Sequence, residues 1–85
     1  MYKYEDEKPI LNTEAGQKAL LNYCLTAQKL TITQKRFSFH ELTSAATAYL
    51  PSNWSQLAVV DRLIELGYLR IVNRGEYETL YASVG

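Results

Sequence analysis

A chain of 85 residues, 47% of them hydrophobic, has room for one domain with a single core, and its apolar share excludes wholesale disorder. Nine basic residues balance nine acidic ones at a pI near 6.6. That balance excludes the strongly basic class that binds nucleic acid through phosphate neutralisation alone, while leaving local charge arrangements open.

The chain starts with Tyr2-Lys3-Tyr4, the charged run Glu5-Asp6-Glu7-Lys8, and Pro9. This composition reads as a mobile arm over residues 1–12, as chain ends are usually loose. The competing reading docks Tyr2, Tyr4, Ile10 and Leu11 on the body or on a second subunit.

Asn12 or Thr13 can cap a helix that starts at Glu14, whose carboxylate suits the positive helix end. Ala15, Ala19, Leu20, Tyr23, Cys24, Ala27 and Leu30 recur at helical spacing, which predicts a first helix over Glu14–Lys29 with a scaffold role. Cys24 is the one cysteine, so no intrachain disulfide forms, and in this apolar pattern it reads as a buried small residue rather than a nucleophile. Thr31-Ile32-Thr33 then favours extended structure. Phe37-Ser38-Phe39 alternates and suits a short strand against a later hairpin.

Ser38 and Glu41 are spaced as a capping box. A second helix is predicted over Phe39–Tyr49, burying Leu42, Ala45, Ala46 and Tyr49 or Leu50, and stopped by Pro51. Ser52 or Asn53 caps a third helix over Asn53–Leu66, and Gly67 suits the left-handed residue that ends it. At about 100° per residue, Gln56, Leu57, Val59, Val60, Leu63, Ile64 and Leu66 share a broad apolar side. Trp54, Ser55, Ala58, Asp61, Arg62 and Glu65 fall on the other side, free for solvent or a partner. Tyr68–Val72 and Tyr77–Ala82 are rich in β-formers, and Asn73-Arg74-Gly75-Glu76 between them is a hairpin signal.

The predicted class is α+β: three helices, a short strand and a C-terminal β-hairpin. In this order the chain from Thr13 to Ser83 resembles the winged helix-turn-helix family of small bacterial and phage-type regulators. Val59-Val60-Asp61-Arg62-Leu63-Ile64-Glu65-Leu66-Gly67-Tyr68-Leu69 looks like the end of that family's recognition helix and its exit into the wing. The resemblance implies an arm over 1–12 and a winged helix-turn-helix domain over 13–85. It also implies a sequence-specific DNA-binding protein acting in transcriptional regulation. By position, Asn53, Trp54, Ser55, Gln56, Ala58 and Arg62 would enter the major groove, and Arg74 would stand at the wing tip. Arg70, Lys35 and Arg36 would add phosphate contacts. One unit of this size carries little charge, so a homodimer reading two half-sites is expected.

Asp61, Glu65 and Glu76 oppose phosphate binding. They support the alternative of a non-catalytic protein-protein interaction module on the same scaffold, of the kind with which phage and mobile elements modulate host machinery. Trp54 then has two readings, a packing residue at the core edge or an exposed anchor for another protein. His40, the one histidine, reads as a surface residue. No Cys/His cluster suggests a metal, no phosphate loop or nucleophile pair suggests catalysis, and no cofactor is expected. The absence of a signal peptide or membrane span in the sequence leads to an expected location in a reducing cytoplasm, away from membranes.

Overall fold

Helix α2, Glu14–Gln34, is the element on which the others assemble. In the computed structural model, which describes residues 1–48 and 50–84, the chain is α+β. It has α1 (Tyr4–Glu7), a 3-10 turn (Lys8–Asn12), α2, β1 (Phe37–Ser38), α3 (Phe39–Ala45), α4 (Asn53–Glu65), β2 (Leu69–Arg74) and β3 (Thr79–Ser83). The strands form one antiparallel sheet in the order β1-β3-β2. No described helix is long and apolar enough to cross a membrane.

Tyr23, Ala19 and Ala27 line the buried side of α2, where they meet Leu11, Phe37, Leu42, Leu50, Leu63 and Leu69. Burying each large side chain of this set contributes about 1.5–3 kcal/mol. Tyr23 and Phe37 are its two largest members.

Four α-helices stand where the sequence predicts three. The extra one is α1, a single turn with Glu5, Asp6 and Glu7 at its positive end. It is part of a larger correction. Residues 1–12 are not a loose arm but a strap packed on α2 and α4, with Leu11 fully buried. Gly16 makes this docking feasible. A Cβ there would lie 2.0 Å from the Ile10 carbonyl oxygen and 2.7 Å from the Leu11 Cα. Thr13 completes the corner: its Oγ1 donates to the Ile10 oxygen at 2.6 Å and accepts from the Gly16 N–H at 3.1 Å. Gln17 Nε2 donates to the Leu11 oxygen at 2.6 Å.

Two helix lengths also depart from prediction. Helix α2 continues to Gln34 through Thr31-Ile32-Thr33. Its threonine hydroxyls return to the helix, Thr31 Oγ1 to the Ala27 oxygen and Thr33 Oγ1 to the Lys29 oxygen. Thr31 Oγ1 also accepts the Ser83 N–H at 2.9 Å, so a contact with β3 overrides the extended preference of the triplet. Helix α3 stops at Ala45, and Ala46 turns extended. Beyond it, Asn22 on α2 holds Thr47, accepting from its N–H at 3.0 Å and donating to its hydroxyl at 2.9 Å. The predicted core role of Tyr49 lies outside the described residues, and Leu50 is buried.

The predicted caps are present. Ser38 and Glu41 form both halves of the capping box, at 3.1 and 3.0 Å. Ser52 caps α4 by accepting the Ser55 N–H. At the other end, Gly67 has φ 87°, its N–H reaches the Ile64 oxygen, and the Tyr68 N–H reaches the Leu63 oxygen. These paired bonds satisfy the last carbonyls of the helix as a Schellman motif does. The hairpin link falls two residues later than predicted, at residues 75–78, with the Gly75 N–H on the Glu78 oxygen. Val72 forms a bulge in β2, because Ile71 pairs with Tyr81 while Asn73 pairs with Leu80.

Gly16→Ala is expected to destabilise the protein by about 2 kcal/mol or more, the overpacking cost of pushing backbone from backbone. Urea unfolding checks the loss, and faster amide exchange over residues 4–12 than elsewhere checks its location. Glu41 has its carboxyl held below the usual range, first by the Gln34 amide and then by the Ser38 N–H. A lowered folded-state pKa gives stability that is present above the unfolded value and lost as pH falls through the folded one. Glu41→Gln should therefore be less stable at neutral pH and flatter in its acid-side melting profile.

Candidate functional site

The α4 surface is the candidate site, and its geometry follows from the strap. Tyr2 stacks on Trp54 with ring centroids 5.8 Å apart and planes 25° from parallel. The Tyr2 hydroxyl donates to Asp61 Oδ2 at 2.6 Å. Burial and then this bond push the Tyr2 pKa well above its ordinary value. Trp54 is still 47% exposed, so its ring forms the rim of the cluster as well as a packing contact.

Tyr4 lies one turn further along α4, within electrostatic range of Arg62 and Glu65. Arg62 Nη1 is bound to Glu65 Oε1 at 2.8 Å. Lys8 pairs with Glu5 at 3.3 Å and sits 4.9 Å above the Tyr4 ring. The Tyr4 hydroxyl is buried without a hydrogen-bond partner among the described residues. The strap thus places Glu5, Asp6 and Glu7 beside a helix that already carries Asp61 and Glu65.

The predicted contact residues divide accordingly. Ser55 and Ala58 are buried, Ser55 with its hydroxyl 3.2 Å from that of Ser52, so neither belongs to a free face. This corrects the predicted division of the helix. Both the strap and α2 pack on α4, and the small size of these residues permits close packing. Leu66, assigned to the buried side, is instead half-exposed. Asn53 and Trp54 are exposed, Gln56 is partly buried, and Arg62 is partly buried in its ion pair.

The remaining cations lie elsewhere. Lys35 and Arg36 form the corner between α2 and β1, with Lys35 at φ 70° and the Arg36 N–H turned back to the Gln34 oxygen at 2.8 Å. Arg70 and Arg74 are on β2, opposite Ala82 and Thr79. All four are exposed and none is ion-paired among the described residues.

Next to α4 a shallow depression is lined by Phe39, His40, Leu57, Tyr77, Thr79 and Tyr81, among others. His40 is on the surface, and Tyr77 at the hairpin tip is almost wholly exposed. No group of three or more metal-binding side chains comes together among the described residues. The sequence signal for the strap was the aromatic pair Tyr2 and Tyr4. No local signal identified Asp61 as the acceptor for Tyr2, because 59 residues separate them.

Comparison with protein-family models, with curated proteins and with solved structures finds no match.

Below the unfolded tyrosine value the Tyr2 hydroxyl is protonated in both states and its bond to Asp61 contributes fully. A raised folded-state pKa means that this stability is lost as pH rises through and beyond that value. Tyr2→Phe is expected to cost about 1 kcal/mol at neutral pH and to reduce the alkaline fall in stability, as measured by urea unfolding across the alkaline range.

Proposed function

We propose that this chain is a non-catalytic protein-interaction module that meets its partner through the surface around Trp54. The observation that carries this reading is the cover on α4: a tyrosine-bearing strap, with Glu5, Asp6 and Glu7 against Lys3 and Lys8, lies on the helix, and Arg62 is committed to Glu65. A phosphate backbone approaching there would meet Asp61, Glu65 and the strap carboxylates. A half-exposed tryptophan beside tyrosines instead supplies the rigid aromatic anchor that protein interfaces favour.

The scaffold is read as a winged helix-turn-helix. The order α2, β1, α3, α4, β2, β3, with β1 paired to β3 and a hairpin after the third of these helices, supports that assignment. The assignment says little about function, because one scaffold hosts many activities. A cytoplasmic setting fits the lone Cys24, which would stay a thiol in a reducing compartment.

A second reading, a sequence-specific DNA binder in transcriptional regulation, draws support from Lys35, Arg36, Arg70 and Arg74, which are exposed and without ion pairs among the described residues. It requires the strap to leave α4, so that Asn53, Trp54 and Gln56 are offered to the groove.

Titration of random-sequence duplex DNA at low salt, followed by Trp54 fluorescence, separates the readings. The protein reading expects no binding by the native chain. Native binding that weakens steeply with added salt would overturn it in favour of DNA. If the strap conceals a DNA-binding helix, Tyr2→Ala will bind the duplex where the native chain does not.

A further inference from the structure

The strap has a fixed end and a lightly held end. At the fixed end Leu11 is fully buried, the Ile10 carbonyl stands where a Cβ of residue 16 would be, and Thr13 and Gln17 bind the corner. Ahead of it, α1 contains no buried residue and no side chain caps its first turn. The Tyr2 hydroxyl latches this end to Asp61. The Tyr4 hydroxyl, within electrostatic range of Arg62 and Glu65, is buried without a hydrogen-bond partner among the described residues. Between the two ends Pro9 has no N–H to return to α1, so the joint lacks a backbone bond there.

We propose that residues 1–7 are a displaceable cover, and that the partner reaches α4 by seating a tyrosine-bearing helical turn of its own in their place. This rests on reading the Trp54 surface as the partner site, and adds how access to that site is controlled.

The seated segment itself defines the occupant. Tyr2 spans two turns of α4, with its ring on Trp54 and its hydroxyl on Asp61, seven residues further on. Both contacts belong to the side chain, so a partner tyrosine can make them without copying the strap backbone. An aromatic face with a carboxylate acceptor at that spacing favours a ring that carries a donor, which selects tyrosine over phenylalanine.

Displacement follows from the uneven hold. A segment with no buried residue opens more readily than one built on Leu11. The orphaned Tyr4 hydroxyl opposes its own seat. A partner turn with an apolar residue in the Tyr4 position leaves no such orphan and therefore binds the seat better than the native strap does, residue for residue. The strap still competes, because its tether at Leu11 keeps it at roughly millimolar effective concentration. The partner's apparent affinity is reduced in proportion to the fraction of time that the cover is off.

NMR titration of the full chain with a synthetic peptide of residues 1–8 carrying Tyr4→Phe tests this, read at the Trp54 indole N–H and the amides of α4. The Tyr2→Ala chain lacks its own latch. The peptide is expected to bind it at roughly millimolar concentration, and at least tenfold more tightly than it binds the native chain. Adding Tyr2→Phe to the peptide should weaken it about fivefold, the share of its bond to Asp61. Leu11 and Gly16 hold the corner, so amide shifts away from the strap and α4 should remain native in the Tyr2→Ala chain. Equal affinity for the two chains overturns displacement while leaving the Trp54 surface as a binding site. Shifts confined to another face overturn both. No binding to Tyr2→Ala up to about 10 mM, above the effective concentration of the tethered strap, overturns the proposal. The duplex titration above judges the Trp54 reading independently of that last outcome.

Discussion

The close approach of the Ile10 carbonyl to Gly16 is the constraint on which the rest of the surface depends. Any side chain at residue 16 would occupy the place of that oxygen, so the absence of a Cβ lets the 3-10 turn lie directly on α2. Leu11 then enters the core completely, Thr13 and Gln17 satisfy the backbone groups at the corner, and the preceding residues are directed across α4.

That single contact changes the chemistry of α4. Without the strap, the helix would present Trp54, Asp61 and Arg62 to solvent as a mixed polar face. With it, Tyr2 engages both Trp54 and Asp61, and the carboxylates of α1 join those of the helix. Lys35 and Arg36 lie at the α2–β1 corner, and Arg70 and Arg74 on β2. A chain with no net formal charge therefore has an aromatic helix surface on which Arg62 and Lys8 are matched by Glu65 and Glu5. Charge distribution rather than charge total shapes what such a surface can bind.

Helix α2 has two sides of different character. Its buried side holds Tyr23 at the centre of the core, and its outer side carries the exposed stripe of Leu21, Leu25 and Ile32. The bond from Ser83 to Thr31 keeps its last turns helical and sets Ile32 in line with the leucines. A contact with β3 thus completes a helical stripe that local preference would have broken.

Signals confined to a few neighbouring residues were legible in advance. The Ser38/Glu41 box, the Ser52 start, the Gly67 exit, the short strand at Phe37 and the two β-rich runs each reflect backbone chemistry within four or five positions, and each is present. The α+β class follows from them. Of the residues the resemblance would set in a groove, Asn53 and Trp54 are exposed at the start of α4, whereas Ser55 and Ala58 are buried, because small residues give no sign of which neighbour covers them. The sequence by itself determined where α2, α3 and α4 begin and which runs pair as strands, since those choices depend on local hydrogen bonds and steric limits. Only the tertiary structure decided how far α2 and α3 run, that residues 1–12 form a strap, and which side of α4 remains accessible. Those outcomes rest on contacts such as Ile10 on Gly16, Tyr2 on Asp61, Asn22 on Thr47 and Ser83 on Thr31. Three of these four join residues 25 to 59 positions apart, and the first needs a glycine whose role appears only once another segment lies against it.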